Sequence, residues 1–205
     1  MSSLIIKVQP TEEPLTLAEA QAHLRVDSTD DDNLIEGLIT AAREYCEETQ
    51  GRAYVTRTYE YTVDLVTTAR LYNGARLRTP EHSPALHDVI ELPMPKHQEV
   101  TAVVSIDADG VQTAVSTDDY TVDYDQICAL VKFDTYPADA EKLKITYTAG
   151  YGAAADVPKR IKQMLLLLIG HWYEHRETAE GASEVKEIPY AVNAILSLDR
   201  VNWGT

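Results

Sequence analysis

The stretch "VPKRIKQMLLLLIGHWYEHRE", residues 157–177, has the pattern of a long and deeply buried α-helix. Pro158 stands in the first turn, where a proline is tolerated. Residues 164–169, MLLLLI, are apolar on every side of the helix, which is typical of a helix surrounded by other elements. This apolar run is far too short to cross a bilayer, so no membrane partner is expected. The pattern therefore predicts the central helix of a bundle.

Three further stretches have the helical period of 3.6 residues. In "PLTLAEAQAHLRVD" (14–27), Thr16 and Glu19 form a capping box, which predicts a helix start. "STDDDNLIEGLITAAREYCEETQGR" (28–52) offers N-caps at residues 28–30 and a C-cap at Gly51. "IPYAVNAILSLDRV" (188–201) predicts a last helix. The expected inward stripe of the 28–52 helix is Leu34, Ile35, Leu38, Ile39, Ala42, Tyr45, Cys46 and Thr49.

Between these helices the period of the apolar residues changes to two. Residues 53–150 contain several short alternating runs and an Asp109-Gly110 turn, which predict a small antiparallel β module. Residues 67–88 have little period, and a loop of this length is usually functional or mobile. The predicted fold class is α+β: a helical bundle formed by residues 1–52 and 151–205, with the β module of residues 53–150 inserted.

Charge and cysteine content limit the function classes. The chain has 33 acidic and 18 basic residues, a net charge of −15, whereas a protein that grips DNA needs a basic surface. A net negative charge instead repels DNA, which is compatible with a surface that lines a DNA conduit without binding the DNA. The two cysteines and the N-terminal "MSSLIIKVQPTEEP", which has no signal-peptide pattern, predict a reduced, cytosolic protein.

One short motif points to different chemistry. His171, Glu174 and His175 form H-x-x-E-H, in which two histidines on one helix face can bind zinc and the glutamate can activate water. Zinc also needs a third protein ligand, and the later acids crowd the adjoining turn and loop. Five-letter motifs also arise by chance. We therefore expect no catalytic residue, no metal and no cofactor, and a zinc-dependent hydrolase stays the alternative. The later acids are Glu177, Glu180, Glu184 and Glu187.

The order of segments along the chain resembles one known family. "LTLAEAQAHLRVD", "LIEGLITAAREYCEETQGR", "VTAVVSIDADGVQT", "DDYTVD", "ITYTAGYG", the 157–177 stretch and "IPYAVNAIL" follow one another as in the head–tail connector (adaptor) proteins of tailed bacteriophages and prophages. The resemblance extends from about Leu15 to Leu196. The chain departs from the family pattern at Lys96 and His97, where relatives tend to be apolar, and in the length of residues 67–88.

This resemblance implies a structural role and a set of partners. Connectors of this family form a ring, expected to be a dodecamer, beneath the portal protein in the virion neck. The ring extends the DNA channel, through which DNA passes without specific binding, and it presents a surface to the next connector, stopper or tail component. Such proteins are made in the cytoplasm of the bacterial host, and gene transfer agents use similar adaptors. A soluble chaperone or regulator of assembly is a further alternative.

Two groups of residues are candidates for contacts in such a particle. The acids just before and at the start of the 28–52 helix, or those of residues 177–187, are expected to face the channel, the alternative being that they are ordinary helix-start and surface charges. The C-terminal segment contains an arginine and a tryptophan, which are favoured residues at protein interfaces. We expect this segment to dock into the portal. The alternative is that Trp203 folds back onto the bundle. The channel candidates are Asp27, Asp30, Asp31, Asp32 and Glu36, and the portal candidates are Arg200, Val201 and Trp203.

Overall fold

The computed structural model describes residues 2–65, 89–124, 128–135, 137, 139–175, 190–198 and 200. The chain divides into two compact units, a sheet unit of residues 1–9 and 57–150 and a helical unit of residues 10–56 and 151–205. Helices and antiparallel strands are both present, which confirms the predicted α+β class. Within the described residues, no helix is long and apolar enough to cross a membrane.

Within its described residues, the helical unit contains four α-helices. They are α1 (Leu17–Leu24), α2 (Asp32–Gln50), α3 (Lys159–Glu174) and α4 (Tyr190–Leu198), and a short 3-10 turn, Ala154–Asp156, precedes α3. As the sequence predicts, α3 lies at the centre. Its buried residues pack against apolar side chains of the other three helices. They are Ile161, Met164, Leu165, Leu168 and Ile169.

The helix boundaries follow from local capping. The capping box of α1 is formed: Thr16 Oγ1 accepts from the Glu19 amide at 3.2 Å, and the Glu19 carboxylate accepts from the Thr16 amide at 2.8 Å. The backbone hydrogen bond from Thr16 lowers the pKa of Glu19. Gly51 ends α2 with a φ of 63°, a conformation that glycine adopts without steric cost. The N-cap of α2 is Asp31, one residue later than the expected caps at residues 28–30.

Two antiparallel sheets are formed by the residues of the sheet unit that the structure describes. One has five strands in the order β1-β2-β8-β4-β5, and the other has three in the order β3-β7-β6. At the centre of the larger sheet, Tyr59 and Tyr147 lie opposite each other and stack with ring centroids 5.6 Å apart. The strands are β1 (Ser3–Val8), β2 (Arg57–Asp64), β3 (Val89–Leu92), β4 (His97–Ile106), β5 (Gln112–Ala114), β6 (Tyr120–Tyr124), β7 (Ala129–Phe133) and β8 (Lys142–Ala149).

The structure differs from the sequence expectation at the start of the chain. The sequence predicts that residues 1–52 belong to the bundle, but Ser3–Val8 forms strand β1 and pairs with β2. Every residue of β1 is exposed, so the strand lacks the alternation of apolar and polar residues that marks a half-buried strand. The predicted loop of residues 67–88 lies outside the described residues.

Candidate interaction surfaces

The H-x-x-E-H motif lies at the C-terminal end of α3. The rings of His171 and His175 are 4.6 Å apart, and Nδ1 of His175 is 2.8 Å from the carbonyl oxygen of His171. Because a carbonyl oxygen can only accept, Nδ1 carries the hydrogen in this contact and is not available to bind a metal there. In the part of the chain that the structure describes, no three His, Cys, Asp or Glu residues are placed to hold a metal ion. The later glutamates of residues 177–187 lie outside that part.

Two of the five acids proposed for the channel make hydrogen bonds within the helical unit. The hydroxyl of Tyr173 donates to Asp31 at 2.5 Å, and the side-chain amide of Gln21 donates to Asp32 at 2.6 Å. These bonds join the start of α2 to α3 and to α1. Both acids are half-buried. Asp31 and Asp32 therefore help to hold three helices together, whatever surface they face.

The other three acids are exposed. Asp27 and Asp30 lie in the turn between α1 and α2, and Glu36 lies on the first turns of α2. Asp30 accepts a hydrogen bond from the Ser28 hydroxyl at 3.1 Å, which orders the turn locally. Water reaches the three carboxylates, so their charges can act on a molecule that passes this surface.

A cavity of about 290 Å³ lies between α2 and the end of α4. Arg200, one of the three portal candidates, contributes to its wall, whereas Val201 and Trp203 lie outside the described residues. Leu198, the last residue of α4, is exposed. Arg200 and the last turn of α4 therefore lie beside a concave surface of mixed polarity. The residues around the cavity are Tyr45, Thr49, Asn193, Leu196, Ser197 and Arg200.

The helical unit also contains a buried ion cluster. The guanidinium of Arg43 donates to Glu13 at 2.7 Å and to Glu47 at 3.0 Å, and the side chains of Arg43 and Glu47 are each 3% exposed. Burial alone would lower the pKa of Arg43, but the hydrogen bond to Glu13 and the charge of Glu47 outweigh it and raise the pKa. The cluster fastens the chain before α1 to the middle of α2.

A second set of buried polar bonds connects this cluster to α4. Glu47 accepts from the backbone amide of Tyr54 at 2.7 Å, and the Tyr54 hydroxyl donates to the Gln50 side chain at 2.6 Å. The Gln50 amide group in turn donates to the carbonyl oxygen of Leu196 at 3.1 Å. That carbonyl belongs to the last turn of α4, where helical carbonyls lack partners within the helix. Gln50 therefore fixes the end of α4 against α2.

The two departures from the connector pattern lie in the sheet unit. The His97 ring packs on Tyr147 with centroids 5.4 Å apart, and its Nε2 is 2.9 Å from the carbonyl oxygen of Pro93. Burial lowers the pKa of His97, so the ring is neutral near pH 7. The Lys96 carbonyl accepts from the Gly150 amide at 2.8 Å. Both residues thus stabilise the connection between β3 and β4.

Against protein-family models, the chain matches the head completion protein model over residues 13–201. The chain belongs to the head completion protein family. No curated protein sequence matches it. Membership confirms the predicted connector family and its structural role at the head–tail connection, and it favours a non-enzymatic role.

Solved structures of gene transfer agent (GTA) particles contain chains with the same fold. A chain of "Virion of native gene transfer agent (GTA) particle" has a TM-score of 0.72 at 22% identity, covering 97% of this chain and 95% of that one. For "Neck of empty GTA particle computed with C6 symmetry" the TM-score is 0.69 at 22% identity, with coverages of 98% and 96%. For "Neck of native GTA particle computed with C12 symmetry" it is 0.68 at 22% identity, again with coverages of 98% and 96%.

The sequence pattern does not predict the buried polar cluster of this head completion protein. The helical period places Leu34 on the inward face of α2, but Leu34 is exposed, while Arg43, Glu47 and Gln50 are buried. A signal was present, because Ile39, Arg43 and Glu47 follow one another at intervals of four residues, so the two charged residues continue a row that begins with an apolar residue. Average hydrophobicity nevertheless assigns such residues to the surface.

Proposed function

We propose that this head completion protein forms a closed ring in the virion neck, beneath the portal protein, and extends the channel through which DNA passes. The match to the family model over residues 13–201 carries the proposal. In this role the portal binds one surface of the ring, and the next connector, stopper or tail component binds another. The number of copies we propose is twelve, as the connector resemblance implies. The C12 symmetry of the native GTA neck, which contains a chain of the same fold, supports this number.

The charge of the chain supports a channel function. A net charge of −15 repels the phosphate backbone, so DNA can move past the ring without being held. We propose that the acids between α1 and α2 and at the start of α2 face the channel. Asp27, Asp30 and Glu36 are suited to this role by their exposure, whereas Asp31 and Asp32 also bind Tyr173 and Gln21. Residues 177–187 are the second proposed source of channel charge.

The C-terminal segment is the proposed contact with the portal. Arg200, Val201 and Trp203 follow α4, and arginine and tryptophan are frequent anchors of protein interfaces. The contact is supported by the exposed end of α4 and by the position of Arg200 beside the cavity. Residues 151–205 have 7 acidic and 6 basic side chains, a net charge of −1, so this part of the chain repels another acidic protein least.

A catalytic role is not part of the proposal. The zinc-hydrolase alternative requires a third ligand besides His171 and His175, and the described residues supply no such group. Metal analysis of the purified full chain separates the two functions. We expect no stoichiometric zinc. One tightly bound zinc ion per chain together with hydrolytic activity would show that the protein is also an enzyme and would refute a purely structural role.

Particles assembled with and without the protein test the connector function. Without it, we expect heads that package DNA but do not join tails, and adding the purified full chain should restore joining. The protein should be found in the neck of purified particles, between portal and tail. Finding it only in the lysate, outside the particles, would instead favour an assembly chaperone and refute the proposal.

The acidic surface also predicts a salt dependence. Like charges oppose the packing of neighbouring copies, and salt screens them within a Debye length of about 8 Å at physiological ionic strength. Purified protein should therefore associate weakly by itself, and raised salt or added portal should promote rings. A chain that never associates with the portal at any salt concentration would contradict the proposal.

A further inference from the structure

Strand β1 is an apolar edge of the five-stranded sheet. Among the described residues, β2 is the strand with which β1 pairs, so the other side of β1 presents free backbone groups. Side chains alternate between the two faces of a strand, yet all six residues of β1 are exposed. Four of them are large and apolar: Leu4, Ile5, Ile6 and Val8.

This edge has only part of the protection against pairing that edge strands usually carry. Proteins usually shorten such strands or place charges, prolines or bulges on them. The register of β1 shifts between Ile6 and Val8, and the strand has one charge, Lys7, whose ammonium group is 3.3 Å from Glu60 on β2. The charge is therefore engaged within its own sheet. The segment Ser3–Ile6 remains uncharged and accessible to another strand.

The opposite edge of the same sheet is strand β5. Its three residues, Gln112–Ala114, are exposed, and so is the preceding Val111. The turn before it is ordered, because the Asp107 carboxylate accepts from the amides of Asp109 at 3.0 Å and Val111 at 2.8 Å. Residues 110–117, GVQTAVST, contain no charged side chain. The two edges are separated by four strand spacings, roughly 19 Å at about 4.8 Å each.

We propose that β1 of one copy pairs with β5 of the next, so that the sheet continues from copy to copy around the ring. This inference rests on the proposed ring. A cyclic ring needs two different complementary surfaces on each copy, whereas pairing of β1 with β1 would stop at a dimer. β5 is favoured over the edges of the smaller sheet because it belongs to the same sheet as β1, so that pairing extends one continuous sheet, and because residues 110–117 carry no charge, whereas β3 carries Glu91 and β6 carries the ion-paired Asp123.

Thiol crosslinking in assembled particles tests the pairing. Cys46 is fully buried, so a Cys128→Ser background leaves few reactive thiols. Single cysteines are placed at residues 4, 5 or 6 of β1 and combined with cysteines at 112, 113 or 114 of β5, because directly opposed Cβ atoms lie about 5 Å apart across paired strands. After treatment with a short bismaleimide, at least one combination should give a ladder of covalent multimers.

The matched control combines Ile5→Cys with Val89→Cys on β3. Val89 is also a large apolar residue in an exposed position of the sheet unit, at 41% exposure against 53% for Ile5. This control and the single cysteines should give no ladder. Particles that contain the protein but show no ladder for any combination would overturn the inference and leave the connector function intact. Crosslinking of the β1 cysteines to portal or tail protein would overturn it too. Absence of the protein from particles would refute the proposed function and the inference with it.

A charge substitution gives a second measurement. Ile5→Lys should reduce incorporation into particles about tenfold, as expected for an interface residue, whereas Val89→Lys should not. Both variants should keep the wild-type circular dichroism spectrum, because both positions are exposed. Equal incorporation of folded Ile5→Lys and wild-type protein would contradict the proposed pairing.

Discussion

Replacing Glu47 with alanine should destabilise the helical unit strongly, because this carboxylate has two buried partners. It accepts from the Arg43 guanidinium at 3.0 Å and from the Tyr54 backbone amide at 2.7 Å. The side chains of Glu47 and Arg43 are almost completely buried. The substitution therefore leaves a buried arginine with one ion partner fewer and a buried backbone amide without its acceptor.

The size of the effect follows from these two losses. Removing one member of a buried ion pair costs about 3–5 kcal/mol, and an unsatisfied buried amide costs about 1–3 kcal/mol. Arg43 keeps its bonds to Glu13, which is itself partly exposed, so the first loss lies at the lower end of its range. Because neighbouring effects are not additive, we expect a decrease of about 3–4 kcal/mol in the free energy of unfolding. Domains of ordinary stability have about 5–15 kcal/mol in total.

Glu44→Ala is the matched control. Glu44 contacts the same guanidinium at 3.4 Å, but its side chain is 57% exposed. Exposed ion pairs contribute about 0–1 kcal/mol, so this variant should unfold nearly as the wild type does. The assay is urea unfolding followed by the helical circular dichroism signal, which reports mainly on the helical unit. A Glu47→Ala variant whose unfolding free energy lies within about 1 kcal/mol of that of Glu44→Ala would show that burial does not make the Glu47 contacts stabilising.

Four other outcomes are expected. Gln50→Ala removes the bond to the Leu196 carbonyl, so hydrogen exchange of the α4 amides should become faster while that of α3 stays unchanged; equal protection of α4 would contradict the role of Gln50. Truncation after Leu198 should leave helicity unchanged but abolish joining to filled heads, and either unfolding or full joining would rule out the portal contact. His175→Ala should assemble normally, and loss of assembly that added zinc restores would refute its structural interpretation. Burial and, second, the charge of Glu47 raise the pKa of the Cys46 thiol from 9.0 to about 12, so the folded state favours the protonated thiol. The contribution of the protonated thiol to stability is complete below pH 9 and is lost between pH 9 and about 12. Over this pH range the free energy of unfolding should therefore fall more steeply for the wild type than for Cys46→Ala. Parallel curves for the two proteins would contradict this.

The sequence was sufficient for the parts of the fold that depend on neighbouring residues. The capping box at Thr16 and Glu19, the glycine at the end of α2 and the apolar run of α3 are local signals, and the structure contains each of them. The ordered series of segments was also sufficient for the connector family, which the family match confirms. The proposed contacts of Arg200, Val201, Trp203 and the channel acids remain predictions, because partner surfaces leave no periodic trace in one chain.

The polar contacts of the core depended on chain segments that are distant in sequence. Arg43 and Glu13 are 30 residues apart, and Gln50 and Leu196 are 146 apart. A charged or amide side chain is stable in the core only when such a partner reaches it, so composition alone assigns it to the surface. The same holds for Asp31 and Asp32. The sequence does not distinguish them from the exposed acids nearby, because their hydrogen-bond partners, Tyr173 and Gln21, come from other helices.

The order of strands in the larger sheet determines that Ser3–Val8 is an edge strand. The letters LIIKV contain apolar residues suited to a strand, but they do not tell whether the strand is central or at an edge. β2 pairs with β8 on its other side, which places β1 at the end of the sheet, and the side chains of β1 are exposed on both faces of the strand. The sequence by itself thus determined the helices, the sheet module, the acidity and the family, since these depend on local pattern and composition. Only the tertiary structure decided which polar residues are buried and which apolar residues are exposed, because both depend on segments that meet only after the chain has folded.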